Sequence, residues 1–473
     1  MNLLILIIIT FLGLLLRVYG IFTIPVTFDE AFNILLPKTI DLPLMIKGVA
    51  EVHPPLYFLL SHIWERFSDN LQFIRLLSII FGVATIPSIA FVGKKILDRR
   101  IGLLAAFLFT ISPSQIYYAS IGRMYALAVF ESTWIIYFFI QFLNKKSNII
   151  PLSVFLLLGL YTHYFFVIYL LILNIYFFIH LKQTKTLLKS WASMNIALSF
   201  LFIPALFIIF KAEPSISVPN INLLKLPVFY IIPQIPWETI QALKIFRYYQ
   251  FDFPSLVALF LSGMAFILLG IGILRTRSNN TLRFLLFTYL ITPPIILLIS
   301  YNFIKIAALR SFILFSPFFF LLIAAALLSF RAKIQIGLIF LSALIPLVYY
   351  LQITHYAPNE LKQINNYFTK NDIVVYNDVT LFLPTKVLKP QGKHFLIFPG
   401  HLQKNAYKAI NVQITKPDEI PQSDQLWYMK QETDWPPYQE QADSLENYLK
   451  KSYVEKERKT FYKLQLIKYK KIM

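Results

Sequence analysis

Residues 3–22 read LLILIIITFLGLLLRVYGIF, and the acid pair Asp29-Glu30 follows them almost directly. A helix needs about 20 apolar residues, each rising about 1.5 Å, to cross a hydrocarbon core of about 30 Å. The run has neither the basic beginning nor the small-residue cleavage site of a signal peptide. It therefore predicts a retained transmembrane helix that is followed by an acidic loop at one face of the membrane.

Similar apolar runs recur along the first three quarters of the chain. The sequence is 57% hydrophobic, with 45 Phe and 27 Tyr among 473 residues, whereas a soluble domain is about 45–50% apolar. We predict a polytopic α-helical membrane protein with about eleven transmembrane helices, at residues 3–22, 72–93, 101–119, 124–143, 149–162, 164–181, 191–210, 254–274, 283–301, 307–329 and 334–353. Residues 55–64 are too few to span, which favours an amphipathic or re-entrant helix on the outer surface. The absence of Cys excludes disulfides, thiolate metal sites and cysteine nucleophiles.

Lys and Arg are concentrated in alternate loops, which indicates how the chain is oriented. Those loops hold fourteen cations and one acid, Asp98, whereas residues 23–71 hold three cations and six acids. Short loops rich in Lys and Arg stay in the cytoplasm. The bias predicts a multi-pass protein of the cell (plasma or inner) membrane, with residues 23–71 and the C-terminal part on the extracytoplasmic side. Because many of the cations are explained by topology, the net charge of +20 does not point to nucleic acid.

The composition divides the chain into two domains. Residues 1–353 form the predicted transmembrane domain, with outer loops at 23–71 and 211–253. The second loop holds five prolines, which deny it a long helix. In residues 354–473, short β-type runs alternate with a helical pattern, which indicates a small α/β extracytoplasmic domain. Its predicted strands are 372–376, 395–398, 426–429 and 464–469, with a helix at about 444–459.

Six charged residues remain within or beside the predicted helices: Arg17, Arg75, Arg123, Glu131, Lys305 and Arg310. With the predicted orientation, the five cations all fall in the outer third of the membrane. Each alone has a plain explanation, because Lys and Arg side chains extend to the interface. As a set they favour another one, since intramembrane ionisable groups face the bundle interior and a surplus of positive charge suits a lipid phosphate or pyrophosphate. Glu131 is expected to orient a cation.

Four short motifs follow one another along the chain: Asp29-Glu30, Glu51-Val52-His53-Pro54-Pro55, Arg123-Met124-Tyr125-Ala126-Leu127 and Tyr161-Thr162-His163-Tyr164. In this order they resemble the glycosyltransferase family 39 group, which includes protein O-mannosyltransferases and the aminoarabinose transferase of lipid A. The resemblance covers roughly residues 1–330. It implies the C-type membrane glycosyltransferase fold, with a sugar transferred from a polyprenyl phosphate at the outer leaflet, with inversion. The mannosyltransferases have Asp where Glu51 stands, so the match to that subgroup is loose.

The resemblance also implies roles for individual residues. Asp29 would be the general base that deprotonates the acceptor hydroxyl, and Glu30 would position Asp29 or hold the acceptor. Arginines would stabilise the charge that develops on the leaving phosphate. The predicted substrate-binding residues are Glu30, Glu51, His53, Arg123, Tyr125, His163, Lys305 and Arg310.

The two histidines keep alternatives. His53 could hydrogen-bond the donor phosphate or help to bind a divalent ion, and its plainer role is to cap the surface helix. His163 is equally an interface histidine or a site residue. No residue is assigned as a metal ligand, and no cofactor is predicted beyond the lipid-linked donor and this divalent ion.

The expected partners are a lipid-linked sugar donor, an acceptor lipid, glycan or protein, and the membrane lipids. Two other functions stay open. A transporter or flippase for lipid-linked sugars would also gather intramembrane cations, but it should have inverted repeats and broken helices near the midplane, which the sequence does not reveal. A non-catalytic membrane scaffold would leave the acid pair and the arginines unexplained. The sequence specifies neither the sugar nor the acceptor.

Overall fold

The structure is a computed structural model that forms two compact units. It describes residues 3–50, 53–211, 270, 279–302, 309–340, 344, 347–348, 351, 363–364, 366–369, 371–397, 404–431, 436–461 and 464–472. The first unit contains residues 3–24 and the described residues from 53 to 351. The second contains residues 25–50 and the described residues from 363 onward. The predicted catalytic loop 23–71 is therefore divided between the two units.

The described residues are mostly helical. The first twelve α-helices are α1 (Leu3–Thr23), α2 (Phe28–Leu35), α3 (Leu42–Ala50), α4 (Leu56–Trp64), α5 (Leu71–Ile96), α6 (Arg99–Ile111), α7 (Pro113–Ala119), α8 (Tyr125–Leu143), α9 (Ile150–Thr162), α10 (Phe165–Ile179), α11 (Leu181–Thr184) and α12 (Leu188–Lys211). Further α-helices are Asn280–Asn302, Ser316–Leu327, Ala332–Ile339, Val379–Leu388, Lys404–Ala409 and Pro436–Ser452. Short 3-10 helices lie at Leu36–Lys38, Lys185–Leu187, Leu309–Phe315 and Pro417–Glu419.

Several of these helices have the length and composition of membrane spans. Among the described residues five qualify, namely Leu3–Thr23, Leu71–Ile96, Tyr125–Leu143, Leu181–Ala205 and Asn280–Ile299, and α6 with α7 makes a sixth if that bent pair is one span. The chain is thus a polytopic helical membrane protein, as predicted. The number eleven stays a prediction, because 254–274 lies outside the described residues except for 270, and α9 and α10 are only 13 and 15 residues long.

The bend between α6 and α7 follows from the residues at their junction. Ser112 has an extended backbone, and its side chain accepts a hydrogen bond from the Gln115 N–H, so it caps α7. Pro113 stands in the first turn of α7 and disfavours helical geometry at the residue before it. The two axes differ in direction by 65°. This bend leads the chain into the turn 120–124 that precedes α8.

The second unit contains a five-stranded sheet with the order β2-β1-β3-β5-β4. Its strands are β1 (Ile373–Tyr376), β2 (Lys393–Leu396), β3 (Gln425–Gln431), β4 (Tyr453–Phe461) and β5 (Leu464–Lys471). β1 pairs in parallel with β2 and β3, whereas β5 pairs antiparallel with β3 and β4. The small α/β domain is confirmed, and β1, β3 and β5 lie at the predicted strands 372–376, 426–429 and 464–469. The strand predicted at 395–398 begins and ends two residues earlier, as β2. The predicted helix at 444–459 is wrong in its second half, because residues from Tyr453 pair with β5 as a strand.

Helices α2 and α3 are part of the second unit, although they come from the N-terminal region of the chain. The Phe32 ring stacks on the Tyr407 ring, with centroids 6.0 Å apart and planes 14° apart. The Thr39 hydroxyl donates to the Ala409 carbonyl at 3.0 Å. At Gly48 an added Cβ would lie 2.9 Å from the Ala406 Cα, so this close approach requires glycine. The segment that carries the acid pair is therefore fixed to residues more than 300 positions away.

Candidate active site

Arg123 is the centre of a cluster of side chains in the first unit. It lies in the turn between α7 and α8, and its side chain is only 1% exposed. Its Nη2 group lies 3.0 Å from His53 Nε2 and donates to the Tyr125 hydroxyl at 3.2 Å. The guanidinium carbon is also 5.2 Å from the centre of the Tyr125 ring, within the range of a cation–π contact. Three residues that the sequence motifs singled out are thus in direct contact.

The contact with Arg123 fixes the protonation of His53. Because a guanidinium can only donate, His53 Nε2 must be the acceptor, and the proton of the neutral ring is then on Nδ1. Burial, followed by the charges of Arg123, His163 and Arg310, holds the pKa of His53 well below its usual value. The Nδ1 atom is buried and has no hydrogen-bond partner among the described residues. His53 is therefore a neutral hydrogen-bond donor. It does not cap α4, because Pro55 occupies the N-cap position of that helix.

His163 lies in the turn between α9 and α10 and completes the cluster. Its ring centre is 5.8 Å from that of His53 and 6.1 Å from that of Tyr125. The Phe165 N–H donates to Nδ1 at 3.2 Å, so the proton of the neutral ring is on Nε2. Burial, with the charges of Arg123 and Arg310, lowers the pKa of His163 to about 3. Both histidines are consequently neutral at pH 7.

Arg310 contributes positive charge to the same region. It is exposed and stands in the 3-10 helix Leu309–Phe315, and its charge acts on both His53 and His163. Two other predicted cations donate to backbone carbonyls. Arg75 donates to the carbonyls of Ile21 and Ile24 at 2.8 and 2.9 Å, which caps the end of α1. Arg17 donates to the carbonyls of Gly13 and Thr110 at 3.1 and 3.4 Å. Lys305 and Glu51 lie outside the described residues, so their predicted roles stay predictions.

A hydrogen-bonded relay that the sequence did not suggest supports the turn of Arg123. The Ser78 hydroxyl on α5 donates to the Arg123 carbonyl at 3.0 Å. Since that uses the only hydroxyl proton of Ser78, the Tyr57 hydroxyl on α4, at 2.7 Å, must be the donor to Ser78. All three side chains are buried. The relay ties the helix that follows His53 to the turn that carries Arg123.

The acid pair lies in the second unit, in the first turn of α2. The Thr27 side chain accepts a hydrogen bond from the Glu30 N–H at 3.2 Å and caps the helix. Carboxylates in the first turn interact favourably with the positive end of the helix dipole. Glu30 is fully buried, whereas Asp29 is partly exposed. No three His, Asp or Glu side chains of the described ranges come together in a possible metal site.

Comparison with known proteins supports the fold that the sequence predicts. Residues 52–209 match the family model described as dolichyl-phosphate-mannose-protein mannosyltransferase. The matched range includes the turn of Arg123, His53 and His163. Comparison with curated protein sequences gives no match. The predicted resemblance to this group of membrane glycosyltransferases is confirmed by the family model and by the solved structures below.

Three solved structures share the fold at low sequence identity. ArnT from Cupriavidus metallidurans in the apo state has a TM-score of 0.63 and 8% identity, with 98% of this chain and 97% of that chain covered. The same protein bound to undecaprenyl phosphate has a TM-score of 0.60 and 10% identity over the same shares. The archaeal oligosaccharyltransferase AglB from Archaeoglobus fulgidus, in complex with an inhibitory peptide and a dolichol-phosphate, has a TM-score of 0.51 and 13% identity, covering 96% and 72%. The predicted C-type membrane glycosyltransferase fold is confirmed.

Proposed function

We propose that the chain is an integral membrane glycosyltransferase that moves a sugar from a polyprenyl-phosphate donor to an acceptor at the outer face of the cell membrane. The observation that carries this proposal is the buried cluster of Arg123, His53, Tyr125 and His163, in a fold that ArnT also has when bound to undecaprenyl phosphate. The acceptor is a lipid, a glycan or a protein.

The cluster suits a phosphate ester. A guanidinium binds phosphate oxygens with two parallel hydrogen bonds and keeps its charge at any pH the membrane meets. Neutral His53 offers an Nδ1–H, and Arg310 adds positive charge. In a buried site such donors stabilise the charge that grows on a leaving phosphate more strongly than water does. We assign Arg123, His53, Tyr125, His163 and Arg310 to the donor phosphate.

The chemistry is a single displacement. Asp29 takes the proton of the acceptor hydroxyl, and the hydroxyl oxygen forms a bond to the anomeric carbon. The bond from that carbon to the phosphate oxygen breaks, and the polyprenyl phosphate leaves with the electron pair. One displacement inverts the anomeric configuration. Glu30 holds the acceptor or positions Asp29, and Glu51 and Lys305 are proposed to contact the substrates as well.

One observation favours a second candidate, a flippase for lipid-linked sugars. The helices α6 and α7 meet at an angle of 65°, and if the pair is one span it is broken in the way that transporter helices are. The two functions differ in bond cleavage, because a flippase returns the lipid-linked sugar intact.

A reconstitution separates them. The purified chain is placed in liposomes with polyprenyl phosphates that carry radiolabelled pentoses or hexoses, together with membranes from cells in which the gene is deleted as the source of acceptor. The transferase releases free polyprenyl phosphate and moves label to the acceptor. Label that crosses the bilayer while it stays on the polyprenyl lipid would establish the flippase and overturn the transferase.

A further inference from the structure

Glu131 is a buried acid in the middle of α8 that the proposed reaction does not use. Only 1% of the surface of Glu131 is exposed. Its Oε1 atom lies 2.8 Å from the hydroxyl of Thr162, the last residue of α9. Its Oε2 atom is buried and has no hydrogen-bond partner among the described residues. The contact therefore joins α8 to the end of α9, directly before His163.

The Thr162 hydroxyl makes two contacts but has one proton. It lies 2.8 Å from Glu131 Oε1 and 3.0 Å from the Leu158 carbonyl oxygen. The Thr162 proton can therefore satisfy only one of these two oxygens. If Glu131 is protonated and donates to Thr162, the Thr162 proton goes to the Leu158 carbonyl and both contacts are hydrogen bonds. An ionised Glu131 would leave one of the two short contacts between a pair of acceptors.

Burial favours the same protonation state. An ionised carboxylate taken out of water is destabilised by several kcal/mol unless it is paired, and a buried acid avoids this cost by staying protonated. In the described part of the chain the hydrogen-bond partner of Glu131 is a neutral hydroxyl rather than the cation that the sequence suggested.

A neutral Glu131 has two consequences for the site. It lies six residues after Tyr125 on the same helix, roughly 9 Å along the axis, so its bond to Thr162 sets the turn of His163 against the end of α8 that adjoins Arg123. It also adds no negative charge that would weaken the attraction of Arg123 for an anion.

We propose that Glu131 is a positioning residue that works as a neutral carboxylic acid, donating its proton to Thr162 and fixing the turn of His163 beside Arg123. The effect on ligand binding rests on the proposed function, because it takes the ligand to be a polyprenyl phosphate. The protonation of Glu131 does not depend on that function and is tested separately.

Infrared spectroscopy tests the protonation. Spectra of the full chain and of Glu131→Gln, both in lipid nanodiscs at pH 7, are subtracted from each other. The proposal predicts that the wild type shows the carbonyl band of a protonated carboxylic acid and that the variant lacks it. A difference spectrum with only carboxylate bands would overturn the proposal, whatever the chain binds.

Binding of undecaprenyl phosphate to the same preparations tests the positioning. Glu131→Gln keeps a neutral donor for Thr162 and should bind within about twofold of the wild type. Glu131→Ala and Thr162→Val each remove the hydrogen bond and should bind about fivefold more weakly, the equivalent of one lost bond, while Thr162→Ser restores affinity. A Gln variant as weak as the Ala variant would show that the charge is needed and overturn the proposal. If the wild type itself fails to bind, the proposed function fails and the infrared result stands.

Discussion

Two clusters of charged side chains, one in each unit, meet their partners in different ways. In the second unit Lys430 Nζ lies 2.7 Å from Glu446 Oε2, and Arg458 Nη2 lies 2.7 Å from Glu446 Oε1. In the first unit Arg123 donates to a neutral histidine, His53, and to a tyrosine. Where cations bond to carboxylates the charges cancel and the contact stabilises the fold. Under the proposed function the charge of Arg123 acts on the donor phosphate, and that difference distinguishes the structural cluster from the proposed binding site.

The largest expected effect tests whether the second unit, besides its structural cluster, carries the general base of the proposed reaction. Asp29→Asn keeps the size and hydrogen bonding of the side chain but removes its charge, so turnover should fall by ~10²–10⁴, the usual share of general base catalysis. Donor affinity should stay within about twofold. The measurement is sugar transfer in liposomes, with Asp41→Asn as a control at an exposed acid of the same segment. Wild-type turnover in the Asp29 variant would exclude it as the base and make Glu30 the next candidate.

Loss of the central cation should affect binding rather than stability. Arg123→Ala removes charged hydrogen bonds of ~1.5–3 kcal/mol to the phosphate, which corresponds to roughly 10- to 150-fold weaker binding of undecaprenyl phosphate. Arg310→Ala should weaken binding too, and the two losses should not add, because both residues act on one phosphate. Arg66→Ala is the matched control, since that cation is exposed and belongs to the same unit. Additive losses would place the two arginines on different ligands.

Loss of a carboxylate in the second unit should do the reverse. Glu446→Gln leaves the buried Lys430 and the partly exposed Arg458 without their shared anion, and we expect the second unit to lose ~1–3 kcal/mol of unfolding free energy. Undecaprenyl phosphate should bind as it does to the wild type. Hydrogen exchange of the β3 and β4 amides, monitored during chemical denaturation, measures the unfolding free energy of the second unit. Glu440→Gln, at an exposed acid of the same helix, is the control. A change in lipid affinity with unchanged stability would contradict the structural role assigned to the Glu446 cluster.

The same carboxylate predicts a pH dependence. Burial alone would raise its pKa, but hydrogen bonds from Lys430, Lys450 and Arg458 lower the pKa of Glu446 from 4.5 to about 2. A carboxyl group with a lower pKa in the folded state contributes stability above its unfolded pKa and loses it as the pH falls through the folded one. The unfolding free energy of the second unit should therefore decrease from about pH 4.5 to pH 2, and the Glu446→Gln variant should lack this part of the slope. Equal slopes in both proteins would contradict the assignment.

The smallest expected effect concerns the relay behind Arg123. Ser78→Ala removes the hydrogen bond to the Arg123 carbonyl, worth ~1 kcal/mol, so affinity for undecaprenyl phosphate should fall about fivefold. Tyr57→Phe should cost less, because Ser78 then still bonds to the carbonyl. Ser88→Ala, which removes a bond to a carbonyl within the same helix, serves as control and should leave the affinity unchanged. Equal affinities in the Ser78 and Ser88 variants would show that the relay contributes only to helix packing and not to binding.

The sequence predicted what depends on local pattern. Apolar runs located the long helices, and the motif spacing singled out Arg123, Tyr125, His53 and His163, which the structure brings together. The bent pair α6 and α7 was less visible, although Ser112 and Pro113 carry its signal as a cap and a helix start.

Contacts between distant residues could not be predicted from one sequence. Nothing near Phe32 indicates that its ring stacks on Tyr407, so the placement of α2 in the second unit was missed. Ser78 and Tyr57 look like ordinary residues of apolar helices until their bond to the Arg123 turn is seen. The sequence predicts a helix over most of β4 because its run of Glu, Lys and Arg favours helices in isolation, and pairing with β5 overrides that preference.

The most direct test of the phosphate site is a titration of undecaprenyl phosphate into the wild type and Arg123→Lys. Lysine keeps the positive charge but loses the planar fork that binds two phosphate oxygens. If Arg123 holds the donor phosphate, the lysine variant should regain only part of the affinity that Arg123→Ala loses. Wild-type affinity in Arg123→Lys, with lower stability but unchanged affinity in Arg123→Ala, would make Arg123 a structural arginine and leave the phosphate site without support.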